Sequence, residues 1–296
     1  MVIVHLSGGF GNQLFSYAFG YVIAKKRNDA FAIDTAIQDE AWFFRNPEIL
    51  NMEITYDKRV SYRIKRKLPD RALLNKIRYH KAIGFSTKEL RENEMGEMAP
   101  NQIIQKCTSE KAKNIYLRGN WQRPDFFIEY ENEIRQKFKF HTELSEEAIR
   151  VANEMRATHN TVAIHYRRGD YVKVGVCPAP DYFINAISKM AELIDNPIFY
   201  CFSEDLEWVK EQFMALPYDI RYPEYESERK DMDDFQLITL AENQIISNSS
   251  YSWWAAFLNE HPGKKVIIPC EEKGLWSEEF GMPEWIKMPF HTLQKK

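Results

Sequence analysis

The chain has 296 residues, a net formal charge of −3 and a hydrophobic content of 44%. This apolar content is sufficient for packed cores and excludes a disordered chain. Because domains usually have roughly 100–200 residues, the length predicts two domains, which we place at 1–145 and 146–296. The cysteines are widely separated and predict neither a zinc site nor a disulfide framework. They are Cys107, Cys177, Cys201 and Cys270.

The sequence also indicates where the protein acts. No segment approaches the roughly 20 consecutive apolar residues that a membrane-spanning helix requires. The first residues lack the basic and then apolar order of a signal peptide. We therefore expect a cytoplasmic protein. A nucleic-acid partner is not expected.

Segment 58–81 is strongly basic, with ten lysines and arginines against a single acid, Asp70. One interpretation is a solvated helical hairpin. The other is a peripheral contact with the inner face of the cytoplasmic membrane, because each basic residue near anionic lipid contributes about 1 kcal/mol. The candidates for that contact are Arg63, Lys65, Arg66 and Lys67.

The first half of the chain alternates short apolar runs with helical patterns. It predicts strands at 2–6, 31–34 and 115–118, helices at 12–26 and 124–140, and an irregular polar stretch at 36–110. A strand, a glycine turn, a helix and a second strand, in that order, are typical of the opening of an α/β domain.

The second half continues this alternation with shorter connections. It predicts strands at 161–166, 198–202, 244–247 and 266–269, and helices at 146–156, 181–193, 206–213, 233–242 and 252–259. Such alternation predicts parallel sheets with helices on both faces, which is an α/β fold.

Three loops of the second half carry the side chains best suited to binding. They follow the strands at 161–166, 198–202 and 244–247, and ligands of open α/β sheets bind at the carboxyl ends of strands. The first loop has two guanidinium groups, Arg167 and Arg168, which suit phosphate oxygens. The second has carboxylates that suit ribose or guanine, and the third has hydroxyls at a helix start, which suits an anion. Together the loops predict a nucleoside diphosphate site.

Each loop also has a plainer interpretation. Asp170 would pair with an arginine in a solvated turn, and Glu204 would only complement the dipole of the helix that follows it. The serines of 247–252 would only cap a helix. The occurrence of all three loops at comparable strand ends of one domain favours the binding site.

Four segments of the chain form a recognisable set. They are GGFGNQLF at 8–15, HYRRGDY at 165–171, FSED at 202–205 and SNSSYSWW at 247–254. In this order, and over nearly the whole chain, they resemble the bacterial α-1,2-fucosyltransferases of glycosyltransferase family 11. Phe10 replaces a common Leu and Glu204 a common Asp, differences that leave the class unchanged.

The resemblance implies an α/β fold of the GT-B-like type, with two facing Rossmann-like domains. It implies an inverting transfer of L-fucose from GDP-L-fucose to the 2-hydroxyl of a terminal galactose in a glycan acceptor. It further implies that no metal or other cofactor is required, and that the reaction serves polysaccharide biosynthesis, of O-antigen or capsule.

The resemblance also implies roles for individual residues. Arg167 is the main diphosphate ligand and a catalytic group, Asp234 or Asp205 reads guanine, and Arg168 supports the loop. Asn12 is a second catalytic candidate. The remaining donor-site candidates are His165, Asn248, Ser249, Ser250, Gly9, Gly11 and Gln13.

The general base and the acceptor site are less defined by the sequence. An inverting transfer needs a carboxylate or a histidine as base, and Asp125, His5 and Asp170 all remain candidates. Trp121 and Gln122 are the acceptor-side candidates, because an aromatic ring can stack on a sugar. A tryptophan buried in the core is the alternative for Trp121.

Two other classes of enzyme fit parts of the sequence. Gly9-x-Gly11 after a strand, followed by Asp34, is typical of an NAD(P)-dependent oxidoreductase. However, Leu14 replaces the third glycine, and the arginine and serine loops would have no role. The DMD sequence at 231–233 matches a metal-binding DxD motif, although it better predicts the start of a helix.

Overall fold

The computed structural model describes residues 1–35, 47–60, 84, 86–225, 231–272 and 276–293. The chain divides into two compact units, Met1–Thr142 and Glu143–Lys296, and each contains its own sheet. Residues 61–81 of the basic segment lie outside the described residues, so their contact with a membrane stays a prediction. Within the described ranges, no helix is long and apolar enough to cross a membrane.

The first unit contains a five-stranded parallel sheet in the order β3-β2-β1-β5-β4. Its strands are β1 (Val2–His5), β2 (Phe31–Asp34), β3 (Lys58–Val60), β4 (Thr87–Arg91) and β5 (Asn114–Arg118). Its described α-helices are α1 (Phe10–Arg27), α2 (Pro100–Ser109) and α3 (Glu131–Lys137). All residues of β1 and β2 are buried, because central strands of a parallel sheet are covered on both faces.

Helix α1 packs closely on this sheet because it has a glycine at the point of contact. A Cβ atom on Gly20 would lie 2.7 Å from Cβ of Val4 and 2.9 Å from the Phe31 ring. Only a residue without a side chain allows this approach. The contact holds α1 close against β1 and β2.

The second unit contains a six-stranded parallel sheet in the order β11-β10-β9-β6-β7-β8. Its strands are β6 (Thr161–His165), β7 (Ile198–Phe202), β8 (Asp219–Arg221), β9 (Asn243–Ile245), β10 (Val266–Cys270) and β11 (Ile286–Pro289). Its described α-helices are α4 (Glu146–Ala157), α5 (Gly169–Val174), α6 (Pro180–Leu193), α7 (Leu206–Phe213), α8 (Asp231–Leu240) and α9 (Ser250–Leu258). Numbered within the unit, the strand order is 3-2-1-4-5-6, as in dinucleotide-binding domains.

The predicted α/β class with parallel sheets is confirmed, and every predicted strand is present with small shifts at its ends. The prediction that 36–110 is irregular is wrong, because β3, β4 and α2 lie there. The predicted helix at 124–140 is also wrong. Two short 3₁₀ turns precede α3, and consecutive Phe126 and Phe127 are both buried there. All four cysteines are free in the structure.

Candidate nucleotide-binding site

The sheet of the second unit has a topological switch point between β6 and β9. From β6 the chain continues to β7 and β8 on one side, and β9 begins the other side. The crevice at the carboxyl ends of such strands is where α/β sheets bind ligands. The three predicted loops follow β7, β6 and β9, which are adjacent strands. They are therefore brought to one edge of the sheet.

Arg167 lies at the centre of the loop after β6. Its Nη2 contacts the Asp170 carboxylate at 2.9 Å, and its Nη1 pairs with Glu204, which follows β7. Its guanidinium also lies over the ring of Tyr171, 5.6 Å from the centroid. Burial lowers the pKa of Arg167, but Glu204 and Asp170 raise it by more, so the group remains a cation.

Arg168 holds the loop after β6 against the start of α7. Its Nε donates to Oδ2 of Asp205 at 3.0 Å, and its guanidinium carbon lies 3.3 Å from the centroid of the Trp208 ring. The residue is only 7% exposed. This placement agrees with a supporting role for Arg168. The same contact engages one carboxylate oxygen of Asp205, one of the two candidate guanine ligands.

The loop after β9 is buried and tied to the first loop. Ser249 and Asn248 are nearly inaccessible, and Asn248 donates its side-chain N–H to the Val176 carbonyl at 2.9 Å. Burial raises the pKa of Tyr171, while a hydrogen bond with Ser249 lowers it. Ser250 then begins α9. The positive end of that helix dipole therefore lies at the edge of the sheet that carries the arginines.

Tyr251 links His165 to the start of α8, the helix that carries Asp234. The ring of His165, the last residue of β6, lies 5.1 Å from the ring of Tyr251. The hydroxyl of Tyr251 donates to the Asp231 carbonyl at the start of α8. Asp234, in the first turn of α8, is 9% exposed and accepts a hydrogen bond of 3.2 Å from Tyr225.

The DMD sequence at 231–233 begins α8, as the plainer interpretation predicted. One of its carboxylates, on Asp233, accepts the backbone N–H of Ser145 at 3.4 Å. Among the described residues, no group of three or more His, Cys, Asp or Glu side chains is placed to hold a metal ion. Independence from metal stays a prediction.

The glycine turn of the first unit also lies at a switch point, between β1 and β5. Gly8 has a φ of +70°, a conformation that favours glycine. The buried side chain of Gln13 closes the turn, donating to the Gly8 carbonyl at 3.1 Å and accepting from the Ile49 N–H at 3.2 Å. Asn12 accepts a hydrogen bond of 2.6 Å from Gln122, which follows β5. Asn12 and Gln122 are thus brought together, whereas the Gln13 amide holds the turn.

Trp121 is a core residue, so the prediction that it stacks on an acceptor sugar is wrong. It has no exposed surface, and its ring stacks on Phe19 with centroids 4.2 Å apart. Its backbone is in the left-handed region, with a φ of +52°. The Glu92 carboxylate accepts its N–H at 3.0 Å. These contacts turn the ring into the core.

The structure also separates the candidates for the general base. Burial, and then the charge of Arg118, lower the pKa of His5 to about 3, which makes it a weak proton acceptor. Asp170 is engaged by Arg167. Asp125 contacts Arg123 at 3.4 Å and is half-exposed.

Sequence reasoning assigned no role to three aromatic side chains that organise the site, Tyr171, Trp208 and Tyr251, and did not pair Glu204 with Arg167. Each lies within a few residues of a predicted ligand. A signal was available for the aromatics, since arginines often lie on aromatic faces. No sequence signal pairs Glu204 with Arg167, because they are 37 residues apart.

The two α/β units, each built on a parallel sheet, have a GT-B-like fold. The sequence profile of Glycosyl transferase family 11 matches residues 1–288. The chain therefore belongs to glycosyltransferase family 11. This assignment favours the transferase over an NAD(P)-dependent oxidoreductase.

Three similar proteins illustrate the family and the fold. An Escherichia coli alpha-1,2-colitosyltransferase is 28% identical over 97% of this chain and 99% of its own. Human galactoside alpha-(1,2)-fucosyltransferase 1 is 29% identical over 57% of this chain and 53% of its own. The solved structure of a mutant of Arabidopsis thaliana FUT1 in complex with GDP has a TM-score of 0.52. Its identity is 12%, and the match covers 93% of this chain and 71% of that one.

Proposed function

We propose that this protein transfers L-fucose from GDP-L-fucose to the 2-hydroxyl of a terminal galactose, with inversion at the anomeric carbon. The observation that carries the proposal is the position of Arg167. It is a permanent cation at the switch point of the second sheet, and it lies over the ring of Tyr171, which hydrogen-bonds with Ser249 at the start of α9. A group in this position binds a diphosphate and stabilises the charge that develops when it leaves.

The other residues of this edge have proposed roles that follow from their contacts. Arg168 positions the loop through Asp205 and Trp208. Ser250 and the first N–H groups of α9 bind phosphate oxygens. The carboxylate of Asp234 accepts hydrogen bonds from the N–H edge of guanine.

The proposal for donor and linkage is supported by the similar proteins. The human relative is named a galactoside α-(1,2)-fucosyltransferase, and the similar plant structure contains GDP. Asn12 and Gln122, which hydrogen-bond at the switch point of the first sheet, are the proposed acceptor-side residues. His165 is proposed to lie near the nucleotide.

A second candidate is transfer of colitose, with the same α-1,2 linkage. It is favoured by the E. coli colitosyltransferase, which matches this chain over almost its full length. Colitose is fucose without the 3-hydroxyl. Specificity for one of the two sugars depends on whether a polar group of the enzyme requires that hydroxyl, because an unpaired buried polar group is costly.

The experiment that tests both candidates is a direct comparison of donors. Purified protein is incubated with GDP-L-fucose or GDP-colitose and with galactose-terminated or glucose-terminated acceptors. NMR of the product then gives the sugar, the linkage and the anomeric configuration. Fucose on the galactose 2-hydroxyl with inverted configuration supports the first proposal. Transfer of colitose alone supports the second, and a product with another linkage contradicts both.

A further inference from the structure

The carboxylate of Glu204 contacts both arginines of the loop after β6. One oxygen pairs with the Arg167 guanidinium, and the other accepts the backbone N–H of Arg168 at 3.0 Å. The loop packs directly on this carboxylate, since a Cβ atom on Gly169 would lie 3.3 Å from Oε1 of Glu204. The side chain of Glu204 therefore binds the Arg167 guanidinium, which is the group that we propose as the ligand of the diphosphate.

The charges of the site do not favour an anion while these contacts persist. Two guanidinium groups, of Arg167 and Arg168, are matched by the three carboxylates of Asp170, Glu204 and Asp205. A nucleoside diphosphate brings further negative charge. It binds well only if Arg167 exchanges a carboxylate for a phosphate, because like charges at this distance repel.

Glu204 is the carboxylate best placed to be exchanged. It reaches Arg167 from a different strand, whereas Asp170 lies three residues away in the same loop. About a third of its side chain is exposed, as for Asp170, so water can solvate it once it leaves Arg167.

We propose that Glu204 is an internal competitor of the nucleotide diphosphate for Arg167. It holds the guanidinium in place when the site is empty, gives way when the donor binds, and returns to Arg167 as GDP leaves. This inference rests on the proposed function, because it assumes that Arg167 binds the diphosphate. It makes Glu204 a positioning residue that limits inhibition by the product.

The charge of Glu204 is what distinguishes competition from simple support. Support of the loop requires only an oxygen that accepts the Arg168 N–H, which glutamine also provides. Competition for Arg167 requires the negative charge. Glu204→Gln therefore keeps an acceptor for the Arg168 N–H and removes the negative charge that pairs with Arg167. Glu207→Gln is a matched control, since Glu207 is three residues away, is 85% exposed and pairs with Lys210.

The test is the affinity of the wild type and both variants for GDP and for inorganic pyrophosphate, by isothermal titration calorimetry. An ion pair of this exposure contributes up to about 1 kcal/mol, so we expect Glu204→Gln to bind both ligands about fivefold more tightly. Glu207→Gln should remain within about twofold of the wild type. The inhibition constant of GDP in the transfer reaction should fall by the same factor in Glu204→Gln.

The outcomes separate this inference from the proposed function. Equal or weaker binding by Glu204→Gln overturns the competitor role, and leaves the proposed function standing if the wild type binds GDP. Equal tightening by Glu207→Gln also overturns it, because the effect is then one of net charge. If neither the wild type nor Glu204→Gln binds GDP or pyrophosphate, the inference and the proposed function fall together.

Discussion

The guanidinium of Arg168 lies 3.3 Å from the centroid of the Trp208 ring and is paired with Asp205. Arg168 belongs to the loop after β6, whereas Trp208 belongs to α7, which follows β7. The stack joins two of the three loops of the proposed donor site. Because Arg168 is almost fully buried, this contact fixes the path of the backbone beside Arg167.

Trp208→Leu should therefore weaken both the fold and the site. Loss of a desolvated cation–π contact and of aromatic packing costs about 2 kcal/mol. We expect a lower free energy of unfolding in urea and an affinity for GDP reduced several-fold. Trp208→Phe retains an aromatic face for Arg168 and should lose less of both. Equal losses of stability and of GDP affinity in the two variants would show that neither property depends on an aromatic face at position 208.

Arg167→Ala should abolish most of the activity. In the proposed mechanism this group stabilises the leaving diphosphate, and removal of one such contact typically lowers turnover about 10²–10³-fold. The melting temperature should stay near that of the wild type, since Glu204 and Asp170 are each about one-third exposed and can be hydrated. Arg150→Ala, on an exposed face of α4, is the control and should keep full activity. An Arg167→Ala enzyme with near-normal turnover would exclude our assignment.

Gly8→Ala should destabilise the first unit more than Gly96→Ala. Both glycines have positive φ values, +70° and +57°, and each substitution adds a conformational cost of about 1–2 kcal/mol. At Gly8 the new Cβ would also lie 2.6 Å from Nδ2 of Asn12, whereas at Gly96 nothing lies within 4 Å. Melting temperatures of both variants give the comparison. Gly8→Ala should in addition raise KM for the acceptor, because Asn12 must move away from Gln122.

His5 should make the stability of the protein depend on pH. Burial and Arg118 lower its pKa to about 3 in the folded state, against about 6.5 in the unfolded chain. Between pH 6.5 and about 3, His5 is therefore protonated more fully in the unfolded state than in the folded state. The stability of the protein falls as pH falls through this range. The loss amounts to about 2 kcal/mol at pH 5 relative to neutral pH.

His5→Asn removes this titration and tests the argument. The difference between its free energies of unfolding at pH 7 and pH 5 should be smaller than that of the wild type by about 2 kcal/mol. Urea unfolding at both pH values provides the measurement. His159→Asn, at an exposed position in the other unit, is the matched control. An unchanged pH dependence in His5→Asn would mean that folding does not lower the pKa of His5 and would contradict the argument.

Activity should be retained in EDTA. In the proposed mechanism the charge of the leaving diphosphate is stabilised by Arg167, Ser250 and the start of α9, and the DMD sequence at 231–233 begins α8. Rates measured with EDTA and with added Mg²⁺ or Mn²⁺ should agree within about twofold. A loss of activity in EDTA that Mg²⁺ or Mn²⁺ restores would contradict metal independence.

The sequence predicts the central strands better than the edges. Strands such as β6 and β7 are buried on both faces and read as continuous apolar runs. β3 and β4 are largely exposed and polar, so neither has a clear pattern. β11 lies at an edge of the second sheet and is only half-buried. The short helix α5 escapes notice because its six residues are too few to show helical periodicity.

What the sequence determines by itself is the α/β class and the loops that carry the proposed donor site. Apolar runs mark the parallel strands, and functional side chains follow their carboxyl ends. Only the tertiary structure decides how these side chains are paired. It sets Glu204 against Arg167, lays Arg168 on Trp208 and buries Trp121 on Phe19. These contacts join residues that are distant along the chain, and they depend on the order of strands in the sheet and on packing, which local sequence patterns do not encode.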